Sequence, residues 1–298
     1  MITLEQLRTT FGEDGEKQFE YLRNKNKGGV NNSKGNTFEN FYTVYQIAKA
    51  FNDSPKWDNC RFSSQVFCYI DDLVIEEEED KINRYYQIKD VADLGWSNGA
   101  HTIKEDFRKQ HKLSRDLGVE PFLRLVVSRK EVYDYLVANV PKEIEDLVKV
   151  IHFETASSLN NLIRKNLLIK EELVKMCALK NPSADKLDAL GTILLGSWDS
   201  TDKNKVPLKE LLDKSYVQNP HFIRGLSTRI SQRLSGILNS IEGFSYTIEN
   251  GFLKWNFNTT DEGVLEYRIG SIEFEQWEND LFNAIIKTFE DLEPFLAS

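Results

Sequence analysis

Residues 65–91, QVFCYIDDLVIEEEEDKINRYYQIKDV, constrain this chain more than any other stretch. Two runs rich in β-branched and aromatic residues flank an unbroken acidic segment, Glu76-Glu77-Glu78-Glu79-Asp80. The pattern predicts two paired strands, 65–76 and 84–91, with the acids at a solvated hairpin tip. Two consecutive carboxylates, Asp71 and Asp72, interrupt the first run. Acids are unfavourable within a strand unless something uses them. A divalent cation would: Mg²⁺ takes oxygen ligands, commonly one or two carboxylates plus phosphate and water. In the second strand a period of two places Gln87 and Lys89 on one face, and Tyr86 and Ile88 on the other.

The flanking segments extend this unit. Residues 4–25 read as a helix, which the Gly-Asn-Ser stretch 27–36 is expected to end. Residues 37–52 read as an amphipathic helix, with Phe38, Phe41, Tyr45, Ala48 and Phe51 on one face and Glu39 early in it. A helix over 102–117, a strand over 121–128 and a helix over 130–139 follow. Helix, strand, strand, helix, strand packs most economically as a mixed sheet flanked by helices, so the fold class is α/β (α+β). Past Pro141 a short strand (148–153) leads into a mainly helical region, clearest over 220–242. A hairpin turning on Asn250-Gly251, a third strand over 264–269 and a terminal helix over 273–296 close the chain. The expected domains are 1–145 and 146–298.

Charge sharpens where a ligand could sit. The net charge of −9 over 298 residues argues, taken whole, against a nucleic-acid partner. Locally the sign reverses. Residues 23–34 carry Arg23, Lys25, Lys27 and Lys34 with no acid, and Lys104, Arg108, Lys112 and Arg115 form a stripe on the 102–117 helix. Both basic segments flank the proposed carboxylate site. This predicts weak DNA affinity for a lone protomer, improving when assembly aligns several basic faces.

Other chemistries find no support. The four histidines are isolated and form no HExxH or HxxxH pair, so a zinc centre is not expected. Neither GxGxxG nor GxxxxGK[ST] occurs. The three cysteines are scattered, the N-terminal segment is charged throughout, and no run is apolar enough to span a bilayer. The expected setting is cytoplasmic, without a membrane.

The ordered set is a basic glycine-containing loop, Glu39, Asp71-Asp72, a turn, Gln87-Ile88-Lys89 and a basic helix. Over roughly residues 20–130 it resembles the restriction-endonuclease-like PD-(D/E)xK superfamily. The segments GGVNNSKGNTFENFY, YIDDLVI and YYQIK look like the nuclease domain of bacterial antiphage effectors. That branch includes nucleases linked to SAVED sensors, Lamassu nuclease subunits and nucleases partnering HerA, and it carries Q-x-K in place of (D/E)-x-K.

The resemblance implies a nuclease domain at 1–145 and an assembly or regulatory domain at 146–298. It implies a Mg²⁺- or Mn²⁺-dependent endonuclease cutting double-stranded DNA. Glu39, Asp72, Gln87 and Lys89 would be catalytic. Glu39, Asp72, the Gln87 side-chain oxygen and the Ile88 carbonyl would be metal ligands. Asp71 stays the alternative to Asp72, because sequence alone does not fix the register. Lys89 would orient the attacking water and stabilise transition-state charge. Lys27, Lys34, Lys104, Arg108 and Lys112 would contact phosphate. An SMC-like or HerA-type ATPase and homo-oligomerisation are the implied routes to activation in a defence complex. The alternative is a catalytically weak or inactive nuclease fold serving assembly through the aromatic-rich segments with Trp255, Phe274, Trp277, Phe282, Phe289 and Phe295, for which core packing is the plainer expectation.

Overall fold

A computed structural model describes the chain except residues 1, 33–36, 54–58, 98–100, 220–221, 226–228 and 297–298, together with the side chains of 28–32. It divides into two compact units, Met1–Lys175 with Leu187–Lys214, and Met176–Lys186 with Ser215–Ser298.

The first unit is built on a mixed sheet. Its strands are β1 (Cys60–Ser63), β2 (Leu73–Glu77), β3 (Ile82–Lys89), β4 (Glu120–Val127), β5 (Val148–His152) and β6 (Val206–Pro207), in the order β5-β4-β3-β2-β1-β6. β6, β1, β2 and β3 pair antiparallel, and β3, β4 and β5 pair parallel. The parallel half needs crossovers, which α4 (Ile103–Asp116) and α5 (Lys130–Ala138) supply. Helices α1 (Leu4–Phe11), α2 (Gly15–Asn32) and α3 (Thr37–Asp53) precede the sheet, and α6 (Leu159–Lys165), α7 (Leu167–Met176), α8 (Ala184–Asp199) and α9 (Leu208–Gln218) follow.

The expected mixed sheet with flanking helices is present, but the first unit is larger than residues 1–145. It takes β5 and β6 from beyond that point because both are laddered into its sheet. Three local boundaries also move. The first strand starts at Leu73 rather than 65, so Asp71 and Asp72 stand just before it. The predicted 4–25 helix is divided at Gly12–Asp14, and α2 runs on through Gly28 and Gly29 to Asn32. The acids 76–80 are only partly a tip: Glu76 and Glu77 lie in β2. Glu77 pairs with Arg84, Glu76 with Lys205 at 3.2 Å and Glu78 with Arg61 at 2.7 Å.

Local chemistry explains the elements around the site. Thr102 caps α4, its Oγ1 accepting from the Glu105 amide at 3.2 Å. Phe107 and Leu113 on that helix are fully buried, and Phe107 packs edge-on to Trp96 over Leu123, Leu125 and Val127 of β4. On the opposite face of β3, Tyr86 meets Tyr42 of α3, which also packs edge-on against Phe153. β3 is therefore clamped between α4 and α3 through alternate residues, as its period of two requires.

The second unit contains the hairpin β7 (Phe244–Glu249) and β8 (Phe252–Phe257), with β9 (Asp261–Val264) and helices α10 (Gln232–Ser240), α11 (Ile272–Asn283) and α12 (Phe289–Leu296). The predicted Asn250-Gly251 turn is present, both residues having positive φ (54° and 81°). The third strand lies at 261–264 rather than 264–269. Of the predicted 220–242 helix, α10 is present and Ile223 instead bridges to Cys177 in extended form; residues 220–221 and 226–228 lie outside the described residues. The terminal helix is two helices. Asp291 accepts from the amides of Lys287 and Thr288 at 3.0 Å and starts α12 afresh. Phe274, Trp277 and Phe289 are buried in this unit's core, and Trp255, Phe282 and Phe295 pack against it. These aromatics hold the unit together internally.

Candidate active site

The site forms where β2 begins and β3 runs on past it. The last pair of that ladder is Leu73 with Tyr86, so Asp72 stands beside the overhang Gln87-Ile88-Lys89. Three donors converge on one oxygen of Asp72, Oδ2. They are the Gln87 side-chain amide, the Ile88 backbone N–H at 2.7 Å and the Lys89 ammonium at 3.1 Å. Asp72 is 6% exposed, and burial of a carboxylate is tolerable only with such partners.

The two adjacent aspartates have different partners. Asp71 turns away from Lys89, towards α2, and its Oδ1 stands 3.3 Å from the ammonium of Lys25. That buried oxygen has no hydrogen bond of good geometry, so the ion pair is its compensation. Burial raises the Asp71 carboxyl to about 6 against the opposing pull of Lys25, with Asp72 pushing the same way as burial.

Glu39 comes from the first turn of α3 and is 7% exposed. The Gln65 amide donates to its Oε2 at 3.2 Å. Burial first, and the Asp72 charge second, push the Glu39 carboxyl up to about 8, while Lys89 and Gln65 pull it down. The buried charge of Asp72 thus raises the proton affinity of Glu39 beside a lysine-bearing strand. Gln65 itself holds φ 54°, and its carbonyl accepts from Asn26 of α2 at 2.7 Å. A residue held in the left-handed region is over-determined by its surroundings, here by α2 and α3 together.

Sequence reasoning missed the other half of the site. Lys25, expected at the end of the 4–25 helix and in the basic 23–34 segment but not as a site residue, is a helical residue with 20% side-chain exposure. Its ammonium reaches the Tyr69 carbonyl, Asp106 Oδ2 at 3.2 Å and Gln87 Oε1 at 3.5 Å, besides Asp71. Asp106 in turn accepts from the Tyr21 hydroxyl at 2.8 and 2.9 Å. Burial first, then Asp106, holds that hydroxyl well above the ordinary phenol range. Burial pulls the Lys25 ammonium down; Asp71 and Asp106 outweigh it and hold the ammonium well above the ordinary lysine range. Gln110 of α4 secures the loop by accepting from the Tyr69 amide at 2.9 Å. The available signal was the i, i+4 pair Tyr21/Lys25 on one helix face.

The candidate phosphate-contacting residues divide. Lys27 and Arg108 are exposed. Lys104 is engaged with Glu143 at 3.6 Å. Lys112 bonds the Thr10 carbonyl at 2.8 Å and lies over the Phe11 ring, so it ties α4 to α1. Lys34 lies outside the described residues.

The residues fit a divalent cation in part. Among the described residues no three His, Cys, Asp or Glu side chains converge. Glu39 and Asp72, however, are buried acids, and the Asp72 charge helps push the Glu39 carboxyl up, an effect that a cation would oppose. The Lys89 carbonyl accepts from Ser128 on the β4 side. Backbone groups alternate along a strand, so those of Ile88 face the Asp72 side, where its N–H is found. The Gln87 oxygen faces Lys25, and its nitrogen faces Asp72. Comparison with protein-family models, with curated proteins and with solved structures gave no match.

Proposed function

We propose that this chain is a metal-dependent endodeoxyribonuclease, using Mg²⁺ or Mn²⁺ to hydrolyse phosphodiester bonds of double-stranded DNA. In this reading it is the effector subunit of a cytoplasmic bacterial defence complex against phage or plasmids. Homo-oligomerisation or a partner ATPase of SMC-like or HerA type would activate it. Among the described residues no helix is long and apolar enough to cross a membrane.

The observation that carries the reading is the convergence of Gln87, Ile88 and Lys89 on Asp72, with Glu39 electrostatically coupled to the same carboxylate. It supports the ordered carboxylate and Gln-x-Lys set as one site rather than scattered polar residues. Asp72 and Glu39 would hold the cation, with the Ile88 carbonyl as a further oxygen. Gln87 could add its side-chain oxygen only after half a turn of its amide. The cation would supply Lewis acidity towards the phosphodiester. Lys89, one-third exposed and tethered at 3.1 Å, presents a fixed positive charge to the open side. There it orients water and meets charge developing on the phosphate. The test is plasmid cleavage with Mg²⁺ or Mn²⁺, alone and with the products of neighbouring genes. Wild type should cut and Lys89→Ala should not; equal inertness with every partner present would end the proposal.

A further inference from the structure

We propose that Lys25 is a positioning residue of this site: it cancels the charge of Asp71 and fixes the Gln87 amide with its nitrogen, not its oxygen, against Asp72. The inference rests on the nuclease reading for its consequence, but its geometric basis is independent of it.

Lysine donates and never accepts. Its ammonium here sits among four acceptors from three segments: the Tyr69 carbonyl and Asp71 before β2, Gln87 Oε1 of β3 and Asp106 of α4. A side-chain amide has nearly the same shape either way round, so its orientation follows from its neighbours. With an ammonium on one side and a carboxylate on the other, only one orientation pairs every donor with an acceptor. Gln87 then serves as a strut between Lys25 and Asp72. The same ammonium occupies Asp71, whose Oδ1 has no alternative hydrogen-bond partner. Two adjacent aspartates are thereby made unequal: Asp71 is held by an internal cation, and Asp72 is presented to the Lys89 side. An external cation would meet two carboxylates, Glu39 and Asp72, instead of three.

The experiment has two arms. The first is metal-free: urea unfolding in EDTA of wild type, Lys25→Met, Asp71→Asn and the double variant. Methionine keeps the length of the lysine stem. Asp71→Asn should lower the unfolding midpoint in the wild-type background and raise it in Lys25→Met, where Asp71 is a buried charge without its partner. An equal effect in both backgrounds would overturn the assignment. So would a double variant that fails to fold along with Lys25→Met.

The second arm titrates Mn²⁺ by calorimetry. Lys25→Met should bind Mn²⁺ about tenfold more tightly, one pK unit's worth of freed carboxylate, while cleavage falls. Asp71→Asn in that background should restore the wild-type affinity. A purely structural lysine would leave affinity unchanged or weaken it, and that result would overturn the proposal. Failure of the wild type to bind Mn²⁺ or to cut would remove the nuclease reading alone, and the metal-free cycle would still decide the role of Lys25.

Discussion

The ammonium of Lys89 lies 3.1 Å from Asp72 Oδ2, across the point where β2 has not yet begun and β3 has not yet ended. The pair is asymmetric. Asp72 is almost wholly buried, whereas the Lys89 side chain keeps one-third of its surface in solvent. Truncating Lys89 therefore removes a charge from the open side while Gln87 and the Ile88 amide still satisfy Asp72. Lys89→Ala should stay folded, with a melting temperature within a few degrees of wild type. Its cleavage of plasmid DNA should fall at least about 100-fold, the usual cost of losing one preorganised transition-state stabiliser. Circular dichroism and an agarose cleavage series check both halves. A folded variant that cuts at the wild-type rate would remove Lys89 from the chemistry.

The buried carboxylates make metal-free stability depend on pH in a definite direction. The folded pKa of Glu39, about 8, lies above its ordinary value of 4.5, so between these limits the folded state binds more protons than the unfolded one. Stability should then fall as pH rises through that window. Asp71, raised to about 6 from 3.8, adds the same sign over the lower part. In EDTA the urea midpoint should be lower at pH 8.5 than at pH 5.5, and Glu39→Gln should flatten the curve above about pH 6. Added Mn²⁺ should recover more stability at pH 8 than at pH 5.5, because a ligand must first lose its proton. A Glu39→Gln curve parallel to wild type would show that Glu39 is not the protonated group.

What was legible follows from the range of the forces involved. The Gln87/Lys89 face and the Asn250-Gly251 turn are set by periods of two residues and by local φ, and both read directly from the chain. Glu39 was legible for a similar reason: a helix start is a local property. The extent of β2 was not. Residues 64–72 are as apolar and β-branched as a strand, but the Tyr69 amide goes to Gln110 and the Cys68 amide to Val66, so the ladder cannot form there. Gln110 is 41 residues away in sequence, and no local pattern announces it. The role of Lys25 is not legible beyond its place in a basic segment, because its four acceptors lie 44 to 81 residues distant. The 220–242 segment has leucine and isoleucine at helical spacing, yet Ile223 is drawn into a bridge with Cys177, a tertiary partner overriding propensity.

The basic residues should separate by function when DNA binding is measured against salt. Each phosphate neutralised contributes a slope of about −0.9 in log K against log salt. Lys27 and Arg108 are exposed. Alanine at either should reduce the magnitude of the slope by about one contact and leave the melting temperature unchanged. Lys112 is spent on Thr10 and Phe11. Lys112→Ala should leave the slope alone and lower thermal stability instead. Fluorescence anisotropy with a labelled duplex at several salt concentrations distinguishes the two groups. A slope change confined to Lys112→Ala would invert the assignment and place DNA on the α1–α4 side.

The turn of the second unit permits a controlled test of how closely its backbone segments meet. Gly251 has φ +81°, and a Cβ there would stand 2.2 Å from the Gly225 Cα; Asn250 O also accepts from the Gly225 amide at 2.5 Å. Gly118, after α4, has a similar φ of +73° but open space where a Cβ would go. Alanine at Gly118 should cost only the conformational term, about 1 kcal/mol. Alanine at Gly251 should add an overpacking cost of about 1–3 kcal/mol, because backbone rather than a flexible side chain must move. Hydrogen exchange should show the excess in the β7–β8 amides of Gly251→Ala, with the amides of β3 and β4 unaffected. Equal losses at the two glycines would mean that the segments bearing Gly225 and Gly251 separate without cost, and that the hairpin is not braced there.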